Sequence, residues 1–167
     1  LETLEPLLQR MATELAPSLG LPRLAFSPGW ARDNLSLADA LLVARDRDIA
    51  NGFTSVGPHR ADWRIDYAAL PGREMLSRGQ AKLSALAILL AQAEQHAAAS
   101  GEWPVVALDD LASELDANHQ RRVLEWLQSS GAQVFITGTE APAALSLLQG
   151  ELAVFHVEQG DLIFKNR

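Results

Sequence analysis

Leu1, Leu4, Leu8, Met11 and Leu15 recur at spacings of three and four, which draws one apolar stripe down a helix opening the chain. Pro6 is tolerated only near a helix start, so this helix is expected to begin near it or to kink there. Two heptads are too few for a coiled coil, and a docked amphipathic helix is the simpler reading. Pro17, Gly20 and Pro22 end it. Residues 24–27 form a short strand candidate, followed by a Pro28-Gly29 turn. Leu35, Leu37, Leu41 and Leu42, with charged residues up to Asp48, predict a second amphipathic helix capped by Asn34 or Ser36 and ended by Asn51-Gly52. Trp63, Ile65 and Tyr67 alternate with Asp62, Arg64 and Asp66, the signature of a half-buried strand. With residues 53–56 it flanks Gly57-Pro58-His59-Arg60, which reads as a hairpin connection.

The second half has a different rhythm. Residues 80–99 are rich in alanine and leucine and nearly apolar on all sides through Leu90, the pattern of a buried helix. Residues 105–108 and 132–137 are continuous apolar runs, as in strands buried on both faces of a parallel sheet. Between them, residues 118–128 read as a helix capped by Asp116 or Asn118. Residues 141–149 form a short helix with Pro142 in its first turn. Residues 152–157 and 161–164 pair across Gln159-Gly160. Strand, helix, strand, helix, strand from residue 104 onward predicts right-handed crossovers in an α/β fold.

Composition narrows the chemistry. The 167 residues include no cysteine, which removes disulfides and thiolate sites, and the four histidines are scattered without metal-ligand spacing. No apolar run is long enough to cross a bilayer and no signal-peptide pattern opens the chain, so a cytoplasmic location with no membrane partner is expected. Asn34-Leu35-Ser36 matches a glycosylation sequon, which means little without a secretory signal. Five basic residues face seven acidic ones over 1–58, and nine face fourteen over 59–167. There is no basic stripe to bind nucleic acid strongly.

The candidate chemistry lies within residues 75–116. Ser77 and Gly79 precede a helix, whose free N–H groups and partial positive charge favour a phosphate; Ser77 also reads as an ordinary N-cap. Asp109-Asp110 ends an apolar strand, where open α/β sheets bind ligands. In a nucleotide site the first carboxylate holds Mg²⁺ and the second orients the attacking water. Taken alone the pair also reads as a strand cap, but Ser113-Glu114-Leu115-Asp116 follows in the expected order. The other half of such a site is missing: the only lysines are Lys82 and Lys165, and no Gly-x-x-x-x-Gly-Lys loop exists. Together with the start at Leu1, this points to part of a longer protein. His59 and Arg60 could meet a phosphate or a partner, or serve only their turn; a neutral histidine could not be the main counter-charge.

Gly57-Pro58-His59-Arg60-Ala61-Asp62, Leu76-Ser77-Arg78-Gly79-Gln80, residues 106–110 and Ser113-Glu114-Leu115-Asp116 together resemble the C-terminal part of RecF-type recombination and repair ATPases, relatives of the ABC and SMC families. Pro28-Gly29-Trp30 and Arg47-Asp48 follow the same pattern. The resemblance implies a partial ABC-type P-loop NTPase head over residues 54–167, with a parallel sheet, helices and a C-terminal hairpin, and part of a mainly helical arm over 1–53. Residues 76–80 would be the ABC signature, in which Ser77, Arg78, Gly79 and Gln80 bind the ATP held by the opposite subunit. Asp109 would be the Mg²⁺ ligand, and Asp110, in place of the usual glutamate, the catalytic carboxylate of a slow ATPase. Ser113 and Asp116 would belong to the loop crossing the dimer interface. The switch histidine of ABC proteins has no counterpart in Thr137-Gly138-Thr139.

The resemblance further implies an ATP-dependent homodimer on double-stranded DNA or double-strand to single-strand junctions, acting with RecR and RecO to help load RecA. ATP and Mg²⁺ would be cofactors of the intact protein; this chain alone is expected neither to bind ATP tightly nor to hydrolyse it. The rivals are another SMC- or RecN-like head and a non-catalytic interaction module.

Overall fold

The computed structural model describes residues 2–70, 76–149 and 152–165. Leu1 of the first stripe, and Gly72 and Met75 ahead of the serine-glycine turn, lie outside the described residues. The chain divides into two compact units, Leu1–Val105 and Val106–Arg167.

In the first unit, helix α1 (Leu4–Leu15) buries Leu8, Met11, Ala12 and Leu15. It starts two residues ahead of Pro6, which sits in the first turn where its missing N–H costs no hydrogen bond. One 3₁₀ turn (Pro17–Leu19) leads to Gly20 at φ 70°, where a Cβ would meet the Ala69 nitrogen at 2.9 Å. Strand β1 (Pro22–Ser27) follows, and its Leu24 N–H donates to the Glu5 carboxylate at 2.8 Å, joining strand to helix.

The partner of β1 is strand β2 (Asp62–Tyr67), antiparallel, with Pro22 opposite Tyr67 and Ser27 opposite Asp62. This corrects the hairpin expected between residues 53–56 and 62–67. The Gly57 N–H bonds the Gly29 carbonyl at 3.1 Å, and a 3₁₀ turn at Pro58–Arg60 follows. That contact draws the loop back to the end of β1 instead of letting it fold on itself. Gly29 is obligatory there, since a Cβ would lie 2.2 Å from the Gly57 oxygen.

Helix α2 (Leu37–Asn51) is capped by Ser36, whose Oγ accepts from the Asp39 N–H at 3.1 Å, and ends at Gly52 in the left-handed region. It is not the amphipathic helix expected. Of its residues only Ala40 and Ala44 are buried, while Leu42 and Val43 are 69% and 78% exposed. Its apolar side chains do not share one face, so no single neighbour could cover them.

Helix α3 (Arg78–Ser100) packs on α1 and buries Leu83, Ser84, Ala87, Leu90 and Ala91, an i, i+4, i+7 stripe. Leu89 is 61% exposed, so the helix is buried on one side and not all round. The Tyr67 hydroxyl and Ser84 Oγ share a buried hydrogen bond of 2.5 Å that ties β2 to α3. Arg10 of α1 pairs with Glu94 of α3, and this pairing raises the arginine's pKa.

The second unit contains strand β3 (Val106–Leu108), helices α4 (Leu111–Glu114) and α5 (Ala117–Ser130), and strand β4 (Val134–Ile136), parallel to β3 with Val106 opposite Val134. Its core joins Leu111, Leu124, Ala144 and Leu145 to Leu108, Leu115, Ile136 and Leu148. The stretch expected as a short α-helix is a 3₁₀ segment, Ala143–Leu147. Strands β5 (Val154–Glu158) and β6 (Asp161–Lys165) form the predicted hairpin as a separate antiparallel sheet. Gln159 and Gly160 both take positive φ, the geometry of a two-residue hairpin turn. The strands expected to be buried on both faces are only half covered. Ala107 faces outward and Phe135 beside it is 54% exposed, because two strands with helices to one side enclose a single face.

Candidate nucleotide site

Ser77 takes an extended conformation (φ −60°, ψ 161°) and caps α3. Its Oγ accepts from the Gln80 N–H at 3.2 Å, and Gln80 Oε1 accepts from the Ser77 N–H at 2.9 Å. This reciprocal capping box satisfies two of the backbone groups that any helix start leaves bare. The cap role and a phosphate role are compatible, because the helix still directs further N–H groups and its positive end outward. Ser77, Arg78 and Gly79 are exposed. A Cβ on Gly79 would meet none of the described residues within 4 Å, and its φ is not positive. Nothing among the described residues therefore calls for a glycine in the first turn of a helix, where it costs about 0.5–1 kcal/mol relative to alanine.

The second cluster forms where β3 ends. Asp109 follows the strand directly, and Asp110 then adopts the left-handed conformation (φ 52°, ψ 39°) to start α4. Aspartate tolerates this region better than most residues, and the reversal turns two successive carboxylates to one end of the parallel pair. The Ser113 hydroxyl donates to Asp110 Oδ2, and the Ser113 N–H to the Asp110 carbonyl at 3.1 Å. Asp110 Oδ1 is buried and has no hydrogen-bond partner among the described residues. Thr137 at the end of β4 donates its hydroxyl to Asp109 Oδ1, and its Oγ1 accepts from the Asp110 N–H at 3.3 Å. A Cβ on neighbouring Gly138 would come within 3.7 Å of Asp110 Oδ1 and 3.1 Å of the Glu140 carbonyl oxygen, so glycine leaves the space beside that oxygen open.

Among the described residues no group of three or more His, Asp or Glu side chains gathers at one point. A metal at Asp109 and Asp110 would thus have one or two carboxylates and would draw its other ligands from water and substrate. Mg²⁺ binds in that manner, and the orphaned Asp110 oxygen leaves an acceptor for a water beside it.

Asp116 caps α5, accepting from the Asn118 and His119 N–H groups at 3.0 and 3.1 Å. Its other oxygen meets His119 Nδ1 at 2.5 Å, and this hydrogen bond first, then the backbone bonds, holds the carboxyl below its usual range. The loop before it hangs on a residue the sequence did not single out. Gln120, 8% exposed, donates from Nε2 to the carbonyls of Ala112 at 3.1 Å and Leu115 at 2.6 Å, clamping residues 112–116 from behind. Gln120→Ala is expected to cost about 1–3 kcal/mol, since two carbonyls lose their donor. Urea denaturation would measure this, and an unchanged midpoint would contradict it.

His59 Nε2 lies 2.9 Å from the Thr54 carbonyl, and Arg60 Nε donates to the same oxygen at 3.2 Å while its guanidinium stacks 5.1 Å over Phe53. Both side chains are engaged by their own loop, which is the turn reading of these residues. Thr137 entered the sequence reading only as part of the stretch that lacks a switch histidine, and its contact with the carboxylates was not foreseen. Its signal was topological: parallel neighbours end side by side, so the residue after one strand faces the residue after the other.

The model of the RecF/RecN/SMC N-terminal domain matches residues 12–161. The DNA replication and repair protein RecF of Stenotrophomonas maltophilia is 60% identical over 163 residues, covering 98% of this chain and 44% of that protein. RecF of Xanthomonas euvesicatoria is 60% identical over 162 residues, 97% of this chain and 44% of its own length. A solved structure described as the recombination mediator protein RecF-ATP in the RecFOR pathway superposes with a TM-score of 0.76 at 26% identity, over 99% of this chain and 44% of that one. The chain thus spans less than half the length of the relatives it matches, and its α/β fold is part of an ABC-type ATPase head with associated helices. The match of this family model over residues 12–161, most of the chain, places this chain in the RecF/RecN/SMC family.

Proposed function

We propose that this chain is the C-terminal portion of a RecF-type DNA repair ATPase, with residues 1–53 part of its arm and residues 54–167 part of its head. The observation that carries the reading is the carboxylate pair after β3, with Asp110 in the left-handed region and one of its oxygens buried without a partner. A buried, unpaired carboxylate oxygen is costly, and a site that gains a ligand there offsets that cost. Asp109 would hold Mg²⁺, and Asp110 would orient the attacking water and accept its proton. Ser113 would fix the Asp110 carboxylate through the oxygen it already contacts.

Ser77, Arg78, Gly79 and Gln80 would meet the nucleotide of a second subunit. The open space at Gly79 supports close approach of a phosphate to the helix backbone. Ser113 and Asp116 would lie at the interface between the two copies. The sequence contains no lysine-bearing phosphate loop, so the composite site would be completed by residues outside this chain. Alone, the chain would neither hold ATP tightly nor hydrolyse it. The relatives' names and the RecFOR pathway point to work on DNA with RecO and RecR, and the family resemblance adds RecA loading at gaps next to double-stranded DNA. The acidic balance of this chain supports main DNA contacts in the rest of the protein.

Light scattering and ATPase assays on the full-length protein test this. ATP with Mg²⁺ should convert monomer to dimer. Asp109→Asn should keep the fold but lower hydrolysis by roughly 100-fold, the effect of losing about 3 kcal/mol of metal-dependent stabilisation. A full-length protein that binds no ATP would overturn the ATPase reading and favour an interaction module.

A further inference from the structure

We infer that Thr137 is the positioning residue for the metal-binding carboxylate, an inference that rests on the ATPase reading above. Three hydrogen bonds join the end of β4 to the 108–110 turn, and all three run through this one residue. Its N–H donates to the Leu108 carbonyl at 2.9 Å, which continues the ladder between the strands. Its hydroxyl proton goes to Asp109 Oδ1. The same oxygen accepts from the Asp110 N–H at 3.3 Å.

A hydroxyl has one proton, so these roles cannot be exchanged: Thr137 donates to the carboxylate and accepts from the backbone. The consequence for Asp109 is geometric. A carboxylate directly after a strand, exposed as this one is, would otherwise rotate freely about its side-chain bonds. With Oδ1 held, the group keeps one orientation at no cost when a ligand arrives. The Asp110 N–H belongs to the residue that makes the left-handed turn. By satisfying it, Thr137 also supports the reversal that brings the second carboxylate beside the first. An outer residue that orients a metal ligand in this way commonly changes metal affinity by about 10–100-fold when removed.

The position is the one where ABC proteins carry their switch region, and here it is filled by Thr137-Gly138-Thr139. The inference gives its first residue a defined task that does not depend on a titratable side chain.

The test uses the full-length protein with Thr137→Val, which keeps the shape and removes the hydroxyl, and Thr137→Ser, which keeps the hydroxyl. Mn²⁺ binding is followed by electron paramagnetic resonance in the presence of a non-hydrolysable ATP analogue, and analogue binding is measured separately without metal. Thr137→Val should weaken Mn²⁺ binding by about 10–100-fold. It should leave metal-free nucleotide binding and the thermal midpoint near wild type, and Thr137→Ser should bind Mn²⁺ as wild type does. Unchanged Mn²⁺ affinity in Thr137→Val would overturn the inference while leaving the ATPase reading intact. Serine behaving like valine would overturn it too, because shape and not the hydroxyl would then matter. Failure of the wild type to bind any nucleotide would overturn the ATPase reading and the inference with it.

Discussion

Ser77→Arg in the full-length protein is expected to abolish ATP-dependent dimerisation while ATP binding to the monomer persists. The expectation follows from where Ser77 sits. It is exposed at the start of a 23-residue helix, and its own helix is its only hydrogen-bonding partner among the described residues. Losing the cap costs the helix about 1 kcal/mol, a small charge against a helix held along its length by packing on α1. The fold should therefore survive, with a thermal midpoint lowered by only a few degrees. What arginine removes is access. The helix start presents bare N–H groups with open space over Gly79, and a long guanidinium side chain would occupy the approach a phosphate needs. Ser77→Thr retains hydroxyl and cap and should dimerise normally. Light scattering across a protein dilution series, with nucleotide binding measured in parallel, checks both variants. A Ser77→Arg protein that still dimerises with ATP would end the proposal that residues 77–80 act across the interface. Loss of ATP binding by its monomer would place Ser77 in its own subunit's site instead.

Met11→Ala is expected to destabilise the protein by about 2–5 kcal/mol. Met11 is fully buried, as is Leu8 one turn before it, and Leu15 one turn after is 1% exposed. These side chains line the face that α1 turns to the rest of its unit, where it packs on α3. Truncation would leave a cavity lined by helix side chains whose backbone cannot collapse inward, the circumstance in which large-to-small changes cost most. Thr13→Ala, on the exposed side of the same helix, should change stability by no more than about 0.5 kcal/mol. Urea unfolding of both variants gives the comparison, and equal midpoints would show that this helix face is not part of the cooperative core.

The two predictions differ in how far the sequence reached toward each. The burial of Leu8, Met11 and Leu15 was legible in their spacing, because a helix imposes its 3.6-residue period on whatever faces the interior. The cap at Ser77, the caps at Ser36 and Asp116 (each one of two candidates) and the helix stop at Asn51-Gly52 were legible for a similar reason. A helix end needs a side-chain acceptor or a positive φ, and few residue types supply either. The motif residues Ser77–Gln80, Asp109-Asp110 and Ser113–Asp116 could be placed on a helix start, a strand end and a loop from local pattern alone.

Position within an element was local; partnership was not. The pairing of β1 with β2 joins residues some forty positions apart, and the Gly29–Gly57 contact lies at its end; no periodicity encodes either. Gln120 and Thr137 look ordinary in the sequence, one within a helix and one after a strand. Their importance comes from the carbonyls and carboxylates that folding sets beside them. Burial followed the same division. Apolar content predicted one covered face for α2 and enclosure for α3, β3 and β4, yet a side chain is buried only where another layer covers it, and most apolar residues of α2 and the outer face of β3 and β4 lie open. The sequence by itself determined the elements, their ends and the candidate site residues, since these depend on backbone conformation and short-range hydrogen bonds. Only the tertiary structure decided which strand pairs with which, which faces are covered, and that Asp109 and Asp110 are held by a threonine 28 and 27 residues away, because those are properties of neighbours in space.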